Sequence, residues 1–404
     1  MSWEGYEPGT GGYRRVLVAL LCAGIATFAQ LYSVQGVLPL LQRDLGITPA
    51  QAALSVSAAT LGLAAAVVPW SAVSDRHGRR RTMIVAILCA TVLAVASIFA
   101  PSYPLLVGVR FLEGAALGGI PAVAMAYLAE EVHHGHATVA AATYISGTSI
   151  GGLSGRIVAA PVGDLLGWRA GVLAVTLLAV AATVAFIVVS PQQRRFVPQP
   201  VRLRSLTLRI VATLTDRRLL VLYLQAFLLM GSFVAMYNYL GFHLGAPPFN
   251  LSPGWVSLLF LAYLSGTWSS STAGRMAAHW GRRGVLVGSS LTMLAGALLT
   301  LVGWLPVIIV GLLLFTAGFF AAHAIANGWV PTLAHDSPAQ AASFYTLAYY
   351  TGSSVVGFGG GLVFADGGWP GFVGLLAALL VAGVAVALLG LPGRGRHAGD
   401  ARTQ

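Results

Sequence analysis

Long apolar runs, separated by short polar connections, repeat from one end of the chain to the other. Most of them hold about 20 residues or more, which is the length that an α-helix needs to cross the hydrocarbon core of a bilayer. A helix also satisfies its own backbone hydrogen bonds there. The pattern predicts an all-α integral membrane protein with twelve transmembrane helices, at 16–41, 50–72, 82–100, 104–128, 138–163, 169–190, 219–245, 254–277, 285–304, 306–333, 340–364 and 369–391.

The composition agrees with this pattern. Of the 404 residues, 57% are hydrophobic and only 9% are charged, whereas about a quarter of the residues in soluble domains are charged. The composition therefore excludes a soluble globular protein. The two cysteines, Cys22 and Cys89, both lie inside apolar runs and are interpreted as buried small residues rather than as a disulfide.

The charge is unevenly distributed along the chain. The net charge is +11, and every basic residue other than histidine is arginine. Apart from Arg110 and Arg156, which fall inside apolar runs, the arginines lie in the two tails and in even-numbered connections, while the opposite connections hold only Arg43 and Arg169. Positive residues stay on the cytoplasmic side of a membrane, so both termini are expected to be cytoplasmic. Since the arginines do not share one polar face, nucleic-acid binding is not expected.

One connection organises the chain. Residues 71–81, SAVSDRHGRRR, form a tight basic loop that recurs 203 residues later at 274–284, GRMAAHWGRRG, where Ala278 stands in the place of Asp75. A long arginine-bearing connection separates the two copies. The chain is therefore divided into an N-terminal six-helix bundle (1–190), a cytoplasmic basic linker (191–218) and a C-terminal six-helix bundle (219–404). Part of the linker, 203–214, is compatible with an amphipathic helix on the anionic leaflet.

These motifs resemble those of the major facilitator superfamily. The 71–81 loop is similar to its first signature, G-x-x-x-D-R-x-G-R-R/K, and RFLEG at Arg110–Gly114 is similar to R-x-x-Q-G. ISGTSIGGLSGR, from residue 145, and YYTGSS, from residue 349, resemble the bacterial YnfM-type, or acriflavine-sensitivity, branch. The resemblance implies two pseudo-symmetric bundles in the bacterial cytoplasmic membrane that work by alternating access. It also implies a transporter rather than an enzyme.

The branch implies proton-coupled efflux of a small organic, drug-like compound, of the multidrug antiporter kind. The partners would be the lipid bilayer, the substrate and protons. The proton gradient would supply the energy without a cofactor, and the chain is expected to act as a monomer. Several positions depart from the family pattern, namely Ser71, Glu113, Ala278 and Gly155-Arg156. A sugar or metabolite exporter or importer of the same fold, and a non-transporting receptor or scaffold, remain as alternatives.

The resemblance also implies a conformational latch at the cytoplasmic rim. Asp75 would bond to Arg79 and to the amides at a helix N-terminus, and Glu130 or Glu131 would complete a charge relay. Gly78 allows the tight turn, and Arg76 belongs to the same motif. The alternative is an ordinary loop that obeys the positive-inside rule.

Charges within a span cost about 2.5–3.5 kcal/mol at the bilayer centre, so the few that occur are candidates for function. Arg110 and Glu113 are three residues apart and share one helix face. Burial disfavours the charged carboxylate and the arginine favours it, so Glu113 could exchange protons near neutral pH. The alternative is a static pair. His323 is a second proton-coupling candidate.

Further candidates for the substrate cavity are polar or aromatic residues within spans. They are Gln30, Tyr32, Gln35, Arg156, Tyr237, Asn238, Asn327, Tyr349 and Tyr350. Arg156 either faces the cavity, where it attracts an anionic group or Glu113, or extends to the outer interface. Gly147, Gly151 and Gly155 repeat every four residues and predict close packing of two helices. The sequence contains no recognisable catalytic group, metal-ligand cluster or nucleotide motif.

Overall fold

The computed structural model describes residues 5–194, 196, 213–334 and 337–393, except for the side chains at 122, 134, 138 and 339. Helices make up most of this part of the chain. They are α1 Gly11–Leu31, α2 Leu38–Leu45, α3 Pro49–His77, α4 Arg79–Ile98, α5 Tyr103–Leu117, α6 Pro121–Glu131, α7 Ala137–Leu166, α8 Trp168–Val189, α9 Arg217–Gly245, α10 Pro253–Ser257, α11 Tyr263–Leu299, α12 Leu305–Leu333 and α13 Pro338–Gly390. Short 3₁₀ segments lie at Gln35–Val37, His134–His136 and Leu258–Ala262. The predicted surface helix at 203–214 lies almost wholly outside the described residues.

Each of the twelve predicted stretches is largely helical in the structure, but some helices contain two predicted stretches and some stretches contain two helices. Within the described residues, seven helical stretches are long and apolar enough to cross a membrane. They are Gly11–Leu45, Pro49–His77, Arg79–Ile98, Trp168–Val189, Arg217–Gly245, Leu305–Leu333 and Gln340–Gly390. The last of these holds two predicted spans, and α11 holds two more. The helical membrane fold is therefore established, and the count of twelve spans stays a prediction.

Three predicted spans are not single α-helices. One of them, 254–277, consists of α10, the 3₁₀ segment Leu258–Ala262 and the start of α11. The stretch predicted at 16–41 breaks after Leu31 and resumes as α2, and the stretch at 104–128 breaks between Leu117 and Pro121. The local cause is proline, since α2 and α6 both have proline in their first two positions. A proline cannot donate a backbone hydrogen bond to the preceding turn, so it starts a helix readily and interrupts one.

The two basic loops share one backbone conformation. Gly78, between α3 and α4, has φ +93° and ψ 155°. Gly281, which divides α11, has φ +76° and ψ 154°. Residues with a side chain rarely adopt these angles, so a glycine is needed at both positions. The two loops that match in sequence therefore also match in backbone conformation.

The chain separates into two compact units, Met1–Val201 with Asn250–Leu258, and Arg202–Phe249 with Leu259–Gln404. The boundary between them falls within the predicted linker 191–218. One segment departs from the predicted division, because residues 250–258 join the first unit. The physical reason is the packing of α10, where Gly254 lies close to Pro161 and Asp164 of α7.

Candidate functional site

The first unit contains a helix that stops among buried residues. After Leu31, at the end of α1, the chain leaves the α-helical path and resumes it at Leu38. The last carbonyls of an α-helix have no partner within the helix and must find one elsewhere. Arg110 of α5, which is fully buried, supplies it. Its guanidinium donates to the carbonyl oxygen of Leu31 at 2.7 Å and to that of Gln30 at 3.2 Å. A cation is thus placed at the negative end of α1.

Arg110 also holds a buried carboxylate. Its Nη1 lies 2.7 Å from Oε2 of Glu113, and both side chains are completely buried. Nε of Arg110 donates to the carbonyl oxygen of Ser55 at 3.3 Å, so each of its three nitrogens makes a hydrogen bond. Glu113 is satisfied on one side only. Among the described residues, no group donates a hydrogen bond to its Oε1.

A second arginine reaches the same break from α7. Nε of Arg156 donates to Oε1 of Gln35 at 2.6 Å, and its guanidinium lies 4.0 Å from the centre of the Tyr32 ring. Nη1 also donates to the carbonyl oxygen of Gly152. Arg156 is 1% exposed, so it does not extend to the outer interface. The structure thus pairs Arg156 with the side-chain amide of Gln35, a partner that the sequence did not suggest.

These residues form one group, which we call the helix-break cluster: Gln30, Tyr32, Gln35, Arg110, Glu113 and Arg156. Four of them were proposed from the sequence as cavity residues and two as a proton-coupling pair, and the structure brings all six together. Sequence reasoning missed Ser33 and Ser55, which contribute a hydroxyl and a carbonyl to Arg110. The hydroxyl of Ser33 within an apolar run was the available signal, whereas a main-chain carbonyl such as that of Ser55 leaves no mark in the sequence.

Close packing of α7 against α1 holds Arg156 at the break. The glycines Gly147, Gly151 and Gly155 face the backbone of Leu21, Ile25 and Ala29, one turn after another. A Cβ added at Gly151 would lie 2.5 Å from the carbonyl oxygen of Ile25, and one at Gly155 would lie 2.6 Å from that of Ala29. Only glycine permits this approach. The face of α7 that carries these three glycines therefore packs against α1.

The predicted latch residues are placed at the junction of α3 and α4. Arg79 forms an ion pair with Asp75 and donates through Nε to Oε1 of Glu130 at 2.9 Å. Glu131 is fully buried and accepts a hydrogen bond at 2.7 Å from the backbone N–H of Arg194. Arg76 is exposed. Of the two glutamates considered from the sequence, Glu130 lies beside Arg79.

The candidates in the second unit are embedded among aromatic rings. The hydroxyl groups of Tyr237 and Thr316 are 2.7 Å apart, and the ring of Tyr237 stacks on that of Phe260 at 4.9 Å. Phe233 stacks on Phe319 at 3.9 Å. We call this group of rings, Phe233, Tyr237, Phe260 and Phe319, the aromatic cluster. None of its described members carries a carboxylate.

His323 extends the aromatic cluster. Its Nδ1 lies 2.9 Å from the hydroxyl group of Tyr345, and its ring centre is 4.8 Å from that of Tyr349. Tyr350 meets Tyr349 edge to face at 5.1 Å. Asn238 is buried, whereas Asn327 is exposed. Sequence reasoning missed Thr316 and Phe319, although both precede His323 by about one or two helical turns on α12.

A multi-helix membrane protein that buries an ion pair in one unit and a histidine among aromatic rings in the other has the features of a transporter. Residues 20–361 match the family model described as the Major Facilitator Superfamily, and the chain belongs to that superfamily. It is therefore a multi-pass membrane transporter and not an enzyme. Its setting is a lipid bilayer and it carries a small-molecule substrate.

Two relatives extend over most of the chain. It is 40% identical over 373 residues to the inner membrane transport protein YnfM of Escherichia coli (strain K12), covering 92% of this chain and 89% of that protein. It is 38% identical over 396 residues to the uncharacterized MFS-type transporter YybF of Bacillus subtilis (strain 168), covering 98% of each. The resemblance to the facilitators stated from the sequence motifs is confirmed.

A solved structure supports the fold. A bacterial homolog to the human lysosomal transporter Spinster, in an inward-facing and unoccupied conformation, is similar with a TM-score of 0.73 at 13% identity. The similarity covers 96% of both chains. The predicted major facilitator fold is confirmed.

Proposed function

We propose that the chain is a proton-coupled exporter of small organic, drug-like compounds that works by alternating access. It lies in the bacterial cytoplasmic membrane with both termini inside and draws on the proton gradient without a cofactor. The observation that carries the coupling proposal is the half-bonded carboxylate of Glu113, fully buried and paired through only one of its oxygens.

Protonation of Glu113 breaks no hydrogen bond in this arrangement. A proton on Oε1 displaces no hydrogen bond, since that atom accepts none from the described residues. It removes a buried negative charge and weakens the bond from Arg110 to Oε2. Arg110 stays in place because the carbonyl groups of Gln30, Leu31 and Ser55 still bind it. The proton therefore changes one interaction of the helix-break cluster and leaves the end of α1 capped.

His323 is the weaker candidate for coupling. Its polar contact among the described residues is the Tyr345 hydroxyl, and no charged side chain of the described part is bonded to it. A histidine that gains a charge among aromatic rings gains no compensating carboxylate there. We therefore assign proton exchange to Glu113 and the recognition of apolar, aromatic compounds to the aromatic cluster around His323.

The drug-like substrate class is supported by the aromatic cluster, in which rings outnumber hydrogen-bonding groups. Pockets for organic compounds are mostly apolar, with a few polar groups that orient the ligand. A sugar would require more polar partners. The outward direction rests on the resemblance to the acriflavine-sensitivity branch. In the same proposal, the contacts of Arg79 with Asp75 and Glu130 act as a latch that opens and closes during the cycle.

The test uses the purified full chain in proteoliposomes that contain a pH-sensitive dye. Cationic dyes, drugs and sugars are added in turn, and proton movement is recorded. The native chain is expected to move protons when a drug-like compound is added. Glu113→Gln, which mimics the protonated side chain, is expected to abolish that proton movement while still exchanging labelled compound between the two sides.

The matched control is Asp44→Asn. Asp44 is also paired with an arginine, Arg169 at 2.6 Å, but its side chain is 48% exposed. This variant is expected to couple as the native chain does. Substrate-induced proton movement that persists in Glu113→Gln would show that the pair is structural. A response to sugars alone would favour a metabolite transporter, and no transport of any compound would favour a receptor or scaffold.

A further inference from the structure

The two copies of the basic loop differ in how their arginines are neutralised. In the first unit, Arg79 is paired with the carboxylates of Asp75 and Glu130. In the second unit, Ala278 occupies the place of Asp75, and Arg282 donates to the neutral hydroxyl of Thr332 at 2.6 Å. No carboxylate of the described residues pairs with Arg282 or with Arg283. The positive charge of the second copy is therefore not compensated within the described part of that unit.

A cavity lies at these arginines. It has a volume of about 680 Å³ and is lined by Trp280, Arg282, Arg283, Trp329, Leu388 and neighbouring residues. Arg283 is fixed in position, because its Nη1 donates to the carbonyl oxygens of Leu388 at 3.3 Å and Leu391 at 3.1 Å. A new helical segment starts after Gly281, and the positive end of its dipole adds to the charge of the two arginines. The cavity is thus suited to an anion.

Aromatic side chains surround the charged part. Trp280 is 64% exposed, and it also borders a second cavity, lined by Thr272, Arg275, Met276 and His279. The ring of Trp329 lies 6.0 Å from the guanidinium of Arg282. Trp329 is buried, at 4% exposed, so Trp280 is the exposed ring of the two. An exposed tryptophan beside arginines is typical of the membrane–water interface, where a lipid presents a charged headgroup next to an apolar chain. This combination fits a lipid better than a soluble anion.

The chain's own C-terminal segment is a poor occupant of this cavity. Residues 394–404 contain three arginines and one acidic side chain. A segment of the same sign of charge would be repelled by Arg282 and Arg283. A ligand from outside the chain, with a negative phosphate and an apolar part, complements the cavity.

We propose that the second basic loop binds the phosphate group of an anionic phospholipid, with Arg282 and Arg283 at the phosphate and the exposed Trp280 along the apolar part. The site is distinct from the helix-break cluster and does not depend on the transported substrate. An anionic leaflet attracts arginines of this kind on the arginine-rich side of a membrane. Inorganic phosphate carries the same chemistry, so the experiment must separate the two sources.

The experiment titrates the purified full chain in detergent with phosphatidylglycerol, and separately with phosphatidylcholine of the same acyl chains, and counts bound lipids by native mass spectrometry. The native chain is expected to bind phosphatidylglycerol more tightly. Arg282→Gln is expected to weaken phosphatidylglycerol binding about fivefold, the effect of one arginine at an anionic surface. Arg282→Lys keeps the charge and is expected to bind as the native chain does.

The matched control is Arg43→Gln, an exposed arginine of α2 that lies outside the two basic loops. Equal weakening by Arg43→Gln would show a general charge effect and overturn the proposal, as would unchanged binding in Arg282→Gln. Displacement of the lipid by inorganic phosphate at similar concentration would assign the site to free phosphate instead. Should Arg282→Gln fail to fold, Trp280→Ala, an exposed position, gives the same decision: phosphatidylglycerol binding is expected to weaken, and unchanged binding contradicts the proposal.

Discussion

Arg110→Met is expected to lower the free energy of unfolding by about 3–5 kcal/mol, the cost of removing one partner of a buried ion pair. Methionine keeps the unbranched stem but removes all five donors. The Glu113 carboxylate then stays buried without its cation, and the carbonyls of Gln30 and Leu31 lose the group that caps α1. The measurement is thermal unfolding of the purified chain in detergent, compared with the native chain.

A double variant separates the two causes. In Arg110→Met with Glu113→Gln, the buried negative charge is gone while the carbonyls remain uncapped. This variant is expected to unfold at a higher temperature than Arg110→Met alone and at a lower one than the native chain. If the single and double variants unfold at the same temperature, the charge of Glu113 does not contribute, and the role of Arg110 is limited to capping α1.

Those contacts of the helix-break cluster that lie within one helix could be predicted, because helical periodicity determines which residues share a face. Residues three apart share a helix face, so Arg110 and Glu113 could be paired from the sequence alone. The spacing of Gly147, Gly151 and Gly155 likewise defines a smooth face without any knowledge of its partner. The internal repeat also follows from sequence, because both basic loops need the same turn and both carry a glycine there.

The long-range part could not be predicted in the same way. Gln35 and Arg156 are 121 positions apart, and nothing in their spacing indicates that an amide would be the partner of that arginine. The break of α1 was hidden because the apolar pattern continues on both sides of Tyr32 to Val37. Glu130 and Glu131 are adjacent, yet consecutive helix residues point in different directions, so only the structure distinguishes the one beside Arg79.

The second unit shows a different limit. Single aromatic residues are compatible both with an interfacial belt and with a binding surface, so the sequence leaves the two possibilities equal. Contacts decide which rings belong together: Phe233 lies on Phe319, and His323 lies between Phe319 and Tyr349. These rings lie on three different helices, α9, α12 and α13. Which helices pack against each other is decided by the fold and cannot be inferred from any one segment of the sequence.

Gly151→Leu is expected to separate α1 from α7 and to lower the free energy of unfolding by about 3 kcal/mol or more, the upper end of the range for overpacked positions. A Cβ at this position would lie 2.5 Å from the carbonyl oxygen and 2.7 Å from the Cα of Ile25. Both are backbone atoms, so a side-chain rotation cannot relieve the contact. Displacement of α1 would also move Tyr32 and Gln35 away from Arg156, so the loss of stability is expected to be accompanied by a loss of transport.

The matched control is Gly108→Leu in α5, a helical glycine with no atom within 4 Å of an added Cβ. Leucine is the better helix former by about 1 kcal/mol or somewhat less, so this control is expected to be as stable as the native chain or slightly more so. The readouts are the apparent melting temperature and the fraction of monodisperse protein after purification. If Gly151→Leu matches Gly108→Leu in both, the close approach of α7 to α1 does not hold the helix-break cluster together, and the side-chain contacts of Arg156 with Gln35 and Tyr32 position it instead.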